Sequence, residues 1–113
     1  MDHLPMKTII AGGRDYTERQ GDAEFLSRIG VSEVISGGCR GGDEFGEIWA
    51  RRIGLPVTKI AADWKTYGKA AGPMRNEAMA KQAQAVVLFP GGKGTANMEA
   101  TARKHGLKIF KRL

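Results

Sequence analysis

Apolar and polar positions along the chain follow two alternating periods. Short runs rich in β-branched residues, "KTIIA" (7–11), "SEVIS" (32–36), "PVTKI" (56–60), "AVVLF" (85–89) and "LKIF" (107–110), predict five strands. "AVVLF" is apolar at every position, which suits a central strand covered on both faces. Between these runs lie amphipathic stretches. Residues 43–53 place Phe45, Ile48, Trp49 and Ile53 on one helical face and stop at Gly54. Residues 18–29 carry Phe25, Leu26 and Ile29 ahead of Gly30; residues 73–83 open on Pro73, which suits a first helical turn; residues 95–105 end before Gly106. The order βαβαβαβαβ predicts a three-layer α/β fold with a five-stranded parallel sheet, in the order 3-2-1-4-5.

One stretch breaks the rhythm. Between "PVTKI" and Pro73 lie the twelve residues "AADWKTYGKAAG", beyond the usual ~2–6 of such connections. Trp64 and Tyr67 are costly to leave on a loose tether. The stretch is either a functional loop packed over a site or a surface excursion anchored by Trp64.

Three of the five strands run into glycine-rich segments: "GGRDY" (12–16), "SGGCRGGDE" (36–44) and "PGGKGT" (90–95). In an open parallel sheet, ligands bind at the carboxyl ends of the strands, where the strand order reverses. Glycine lets a backbone approach a ligand closely. Successive N–H groups and helix amino termini then attract anions. With strands one and four adjacent, Gly12 and Gly13 converge with Pro90, Gly91, Gly92, Gly94 and Thr95 on one crevice. Arg14, Arg40 and Lys93 supply positive charge for phosphate. Ser36, Gly37, Gly38, Gly41 and Asp43 form a second wall, and Arg75 with Asn76 a third. Trp64 or Tyr67 is placed to stack on a base. The pattern is neither the Walker loop nor the dinucleotide G-x-G-x-x-G fingerprint.

Composition narrows the picture further. A chain of 113 residues is one domain's worth, and burying roughly two thirds of its surface lets it fold without staples. A single cysteine, Cys39, excludes an internal disulfide and fits a cytoplasmic setting. No apolar run approaches the ~18 residues of a membrane span, and "MDHLPMK" lacks the pattern of a signal peptide. No membrane partner is expected. The net charge of +6 favours anionic partners, either phosphorylated small molecules or nucleic acid. Part of the excess lies in "RKHGLKIFKRL", with Arg103, Lys104, Lys108, Lys111 and Arg112 and no acid.

Taken together, "GGRDY", "SGGCRGGDEFGEIWA", "DWKTYGKAAGPMRNEAMA" and "PGGKGTANM" resemble the YspA-like family of the SLOG superfamily, common in bacteria and their phages. The resemblance spans nearly the whole chain. It implies a Rossmann-like fold and a nucleotide or nucleotide-derived, ADP-ribose-like ligand, with no further cofactor. The superfamily is similar to LOG proteins, which cleave the N-glycosidic bond of cytokinin riboside monophosphates, and to the DNA-processing protein DprA. LOG relatives dimerise, which implies a homodimer here. In the LOG motif P-G-G-x-G-T-x-x-E the glycines embrace phosphate and ribose, and the glutamate assists cleavage. Pro90, Gly91, Gly92, Gly94 and Thr95 match that motif, but Met98 occupies the glutamate position. Glu99 lies one residue later, about 100° round a helix. The YspA-like family itself departs from the LOG motif at this position. Arg75 and Met79 match a second LOG motif, in which Asn76 replaces a basic residue.

Single residues refine the list. Asp43 is expected to cap a helix, contributing ~1 kcal/mol, with some ligand contact. Asp15 could contact ligand or pair with a neighbour. Cys39 lies near a helix amino terminus but lacks a histidine partner, so a catalytic thiol is not expected. His3 and His105 show no metal-ligand spacing, and no metal is expected. Catalytic candidates are Glu99, Arg75 and Asp43. Three functional classes stay open: a nucleotide-binding sensor, sponge or accessory domain; a nucleotide N-glycosidase; and a nucleic-acid binder.

Overall fold

The computed structural model describes residues 5–113, so His3 lies outside the described residues. Five parallel strands, β1 (Lys7–Ala11), β2 (Glu33–Ser36), β3 (Val57–Lys59), β4 (Ala85–Leu88) and β5 (Lys108–Lys111), form one sheet in the order β3-β2-β1-β4-β5. The helices are α1 (Asp22–Ser27), α2 (Gly42–Arg52), α3 (Trp64–Tyr67), α4 (Ala71–Ala80) and α5 (Lys93–Lys104). The fold is the three-layer, Rossmann-like α/β architecture that the alternation of periods predicts.

The strand side chains divide the core in two. Ile9 and Ala11 of β1, with Val86 and Leu88 of β4, pack against Met79 and Ala80 of α4 and Met98 and Ala102 of α5. Ile10, Val87 and Phe89 point the other way, onto Leu26 of α1 and Phe45, Trp49 and Ala50 of α2. The two-residue period of a strand thus feeds both faces, which is why β4 is apolar throughout. The first two crossovers cover one face and the last two the other, so the direction reverses between β1 and β4.

Several boundaries differ from the sequence expectation. On α2 the buried stripe is Phe45, Gly46, Trp49 and Ala50, while Ile48 and Ile53 remain about half exposed. The stripe is rotated because Gly46 lies flat on Ile10: a Cβ at residue 46 would lie 2.6 Å from Ile10 Cγ2. Helix α1 starts at Asp22 rather than residue 18, since the Asp22 carboxylate accepts the Arg19 N–H at 2.7 Å and holds that stretch in a turn. The stretch "AADWKTYGKAAG" is not a loop. After residues 61–63 it forms α3, capped by the Asp63 side chain, then a 3-10 turn (Gly68–Ala70) that runs straight into α4.

Candidate functional site

At the carboxyl end of β1, the glycine segments lock into one another before any ligand is considered. The Gly13 N–H donates to the Pro90 carbonyl at 2.9 Å, and the Gly13 carbonyl accepts from Gly42 and Tyr16 at 3.0 and 3.1 Å. A Cβ at Gly12 would lie 2.9 Å from Phe89 Cβ, and one at Gly13 would lie 3.0 Å from Gly91 Cα. A Cβ at Gly42 would strike Gly12, one at Gly41 the Gly13 carbonyl, and one at Gly91 the Thr95 hydroxyl. These glycines serve backbone-on-backbone packing, which leaves their loops close enough to frame a single crevice.

Gly92 and Gly94 differ. Neither has a positive φ, and no protein atom lies within 4 Å of where a Cβ would sit. Both line the crevice, which has a volume of about 560 Å³. Gly92 precedes the first turn of α5, and no side chain caps that turn. The first ladder bond there runs from Ala96 to the Gly92 carbonyl, so the amides of residues 93–95 have no helical acceptor. The first turn of α4, through Gly72 and Pro73, and that of α2, through Asp43, border the same space. Three helix amino termini therefore bring partial positive charge to one crevice.

The charged lining is also mainly positive: Arg14, Lys69, Arg75 and Lys93 face one carboxylate, Asp43. Arg75 is held in a chain of hydrogen bonds. Its Nη1 donates to the Gly37 carbonyl at 2.8 Å and lies 3.9 Å from the Cys39 sulfur; its Nε donates to Asn76 Oδ1 at 3.2 Å. Asn76 Nδ2 in turn donates to Asn97 Oδ1 at 2.8 Å. Because a guanidinium only donates, it fixes the orientation of both amides. The Asn97 NH2 is left without a protein acceptor among the described residues, on the crevice wall. Trp64, Met79 and Met98 add apolar lining.

Asp43 is 7% exposed. Its Oδ2 accepts a long bond from the Cys39 N–H at 3.4 Å, the Gly12 amide also faces its carboxylate, and no salt bridge reaches it among the described residues. Burial pushes its pKa up to about 6, against the pull of the Cys39 and Gly12 amides and of Arg75. Asp43 is not the helix cap that its position predicts. Gly41 is the N-cap, with no side-chain cap bond, because the Gly13 carbonyl takes the Gly42 N–H and starts α2 one residue earlier.

Of the residues expected from sequence, Gly12, Gly13, Arg14, Gly37, Asp43, Trp64, Arg75, Asn76, Gly92, Lys93, Gly94 and Thr95 all line the crevice. Gly41, Pro90 and Gly91 stand behind it as packing. Ser36 is fully buried; its hydroxyl donates to Glu47 at 2.6 Å and accepts from the Gly38 amide at 3.0 Å. Asp15 and Arg40 form an exposed ion pair at 3.6 Å, beside a separate depression beyond the β1 loop. Tyr67 is half exposed and does not line the crevice. Glu99 lies outside it. Arg103 at 2.7 Å and Lys111 at 3.2 Å hold its carboxyl below the ordinary range.

Lys69 and Asn97 line the crevice without having been expected there. Lys69 lay in a stretch read as a loop. Asn97 follows Lys93 and Gly94 by four and three residues, a helical spacing that would have placed it beside them. The basic tail is mostly engaged. Arg112 Nε donates to Asp22 at 2.8 Å, Lys111 and Arg103 meet Glu99, and Lys104 meets Glu77. His105 caps α5 and lies 2.6 Å from Glu77. Among the described residues no group of three or more His, Cys, Asp or Glu side chains is arranged to hold a metal, and no helix is long and apolar enough to cross a membrane.

The sequence pattern of the YspA, cpYpsA-related SLOG family matches residues 6–67. The chain is 38% identical over 118 aligned residues to the "Gene 61 protein" of Mycobacterium phage D29, covering 92% of this chain and 94% of that protein. No solved structure matches at a significant level. With the sheet order, the glycine segments and these two matches in agreement, the chain belongs to the YspA, cpYpsA-related SLOG family.

Proposed function

We propose that the protein binds a nucleotide or nucleotide-derived anion in the crevice, as a sensor, sponge or accessory domain. Gly92 and Gly94 carry this reading. Nothing inside the protein requires glycine at either position, whereas a phosphate pressed against the first turn of α5 would leave no room for a side chain. The amides of residues 93–95, with Arg14 and Lys93, would hold that phosphate. A volume of about 560 Å³ is in the range of small-molecule sites, and the partly exposed Trp64 indole offers a face for a base.

A thermal-shift screen of nucleoside mono-, di- and triphosphates, NAD, ADP-ribose and cyclic nucleotides tests this proposal. A true ligand raises the melting temperature by mass action, and it is recovered unchanged by chromatography. No shift with any member of the panel would contradict the proposal.

Asp43 favours a second reading, hydrolysis of the bound nucleotide at its N-glycosidic bond. A carboxyl with a pKa of about 6 is suited to exchanging protons near neutral pH. The LOG acid position, Met98, is an apolar part of the wall, so Asp43 would have to serve instead. Free base appearing in the chromatogram, and lost with Asp43→Asn, would establish that activity.

A further inference from the structure

Glu47 lines neither cavity, yet its hydrogen bonds lead to the crevice wall. It lies on α2 and is 4% exposed. Lys59 at 3.2 Å and Arg51 at 3.5 Å meet its Oε1. Its Oε2 accepts from the Ser36 hydroxyl at 2.6 Å. A carboxylate paired with cations only accepts, so the single Ser36 proton is committed to it. The Ser36 oxygen is left to accept the Gly38 N–H, at 3.0 Å.

That N–H shares a peptide unit with the Gly37 carbonyl. In a trans peptide the two groups point in opposite directions, and no peptide among the described residues is cis. Anchoring the N–H on Ser36 therefore turns the carbonyl towards Arg75, whose Nη1 donates to it at 2.8 Å. Gly37 has no side chain to obstruct that approach: a Cβ there would lie 2.8 Å from Nη1. With glycine on both sides, this peptide plane is free to turn unless something holds it. We infer that Glu47 is a positioning residue: acting through Ser36 and the Gly37–Gly38 peptide, it holds the Arg75 guanidinium on the crevice wall. The positioning does not depend on the nucleotide-binding reading above; only its consequence for affinity rests on that reading.

Two exchangeable protons report the arrangement with no ligand present, the Arg75 Nε–H and the Gly38 amide. In heteronuclear NMR of the unaltered protein both are expected to exchange slowly with water. Ser36→Ala is expected to quicken both about tenfold, the worth of one hydrogen bond. Glu47→Gln is expected to act in the same direction, because its amide can donate to Ser36 as well as accept. Calorimetric titration of ribonucleoside monophosphates follows the consequence. Glu47→Gln is expected to weaken binding about 3- to 10-fold, and to weaken it no further in an Arg75→Ala background. If both variants melt lower while the Arg75 and Gly38 protons exchange as before, Glu47 only supports the fold; that result would overturn the inference and leave the nucleotide-binding reading standing. An equal further loss of affinity in the Arg75→Ala background would overturn it too. Quickened exchange in the variants of a protein that binds no nucleotide would sustain the inference and contradict that reading.

Discussion

Asp22 and Asp43 are both buried near helix amino termini, yet their surroundings are opposite. Asp22, at the start of α1, is fully buried and accepts from the Tyr16 hydroxyl at 2.5 Å, the Arg19 amide at 2.7 Å and Arg112 Nε at 2.8 Å. Burial pushes its pKa up, but the Tyr16, Arg112 and Arg19 hydrogen bonds together outweigh that and hold it below the ordinary 3.8. Asp43 has only the Cys39 and Gly12 amides and no ion-pair partner among the described residues, and burial leaves its pKa at about 6. A buried carboxylate with a full set of partners ties the chain together; here it ties the carboxyl-terminal segment to α1. One with too few partners is a burden on the fold, and its persistence beside a crevice is what a ligand contact would explain.

Removing the two carboxylates should separate them most clearly. Asp22→Ala leaves the Arg112 guanidinium and the Tyr16 hydroxyl without their acceptor, and is expected to cost about 3–5 kcal/mol in urea unfolding. Asp43→Asn is expected to hold or raise stability at pH 7, because it deletes a buried charge that the fold does not neutralise.

The pH dependence should divide along the same line. For Asp43 the folded pKa is raised, so the folded state retains its proton longer than the unfolded chain. That contribution is fully present below pH 3.8 and is lost as pH rises through about 6, a change of about 3 kcal/mol at most. For Asp22 the folded pKa is lowered; its contribution is present above the ordinary 3.8 and disappears as pH falls through the lower folded value. Urea titrations at a series of pH values should show the first slope in the unaltered protein and not in Asp43→Asn.

Smaller effects should distinguish the glycines. Gly94→Ala is expected to gain up to about 1 kcal/mol, the helix preference of alanine, while losing ligand affinity. Gly91→Ala would press on the Thr95 hydroxyl and the Gly13 amide, and is expected to cost about 1–3 kcal/mol. At the bottom of the scale, Glu99→Gln should leave both ligand affinity and any base release unchanged, because its carboxylate faces Arg103 and Lys111 outside the crevice.

Much of this was legible in the chain. The apolar run "AVVLF" and the alternation of periods carried the sheet, its order and the place of the crevice, because parallel strands buried on both faces allow few arrangements. What the sequence could not resolve was which glycines pack and which face outward. Gly91 and Gly92 are adjacent and chemically identical, and only the positions of Thr95 and the Gly13 amide tell them apart. The start of α2 was misplaced for a related reason: the Gly13 carbonyl, from a different loop, does what the Asp43 side chain was expected to do. The helix within "AADWKTYGKAAG" was hidden because four residues of α3 are too few to show a period. The basic tail contains no acid of its own, and its partners lie before it in the chain: Asp22 on α1, Glu77 on α4 and Glu99 earlier on α5.

If a bound nucleotide rather than the fold keeps the first turn of α5 open, a side chain at Gly94 must weaken binding without weakening the fold. Calorimetric titration of the best nucleotide from the screen into the unaltered protein and into Gly94→Ala tests it most directly. Binding to the first is expected, with at least tenfold weaker binding to the second in a protein that melts no lower. Equal affinity in both would contradict it.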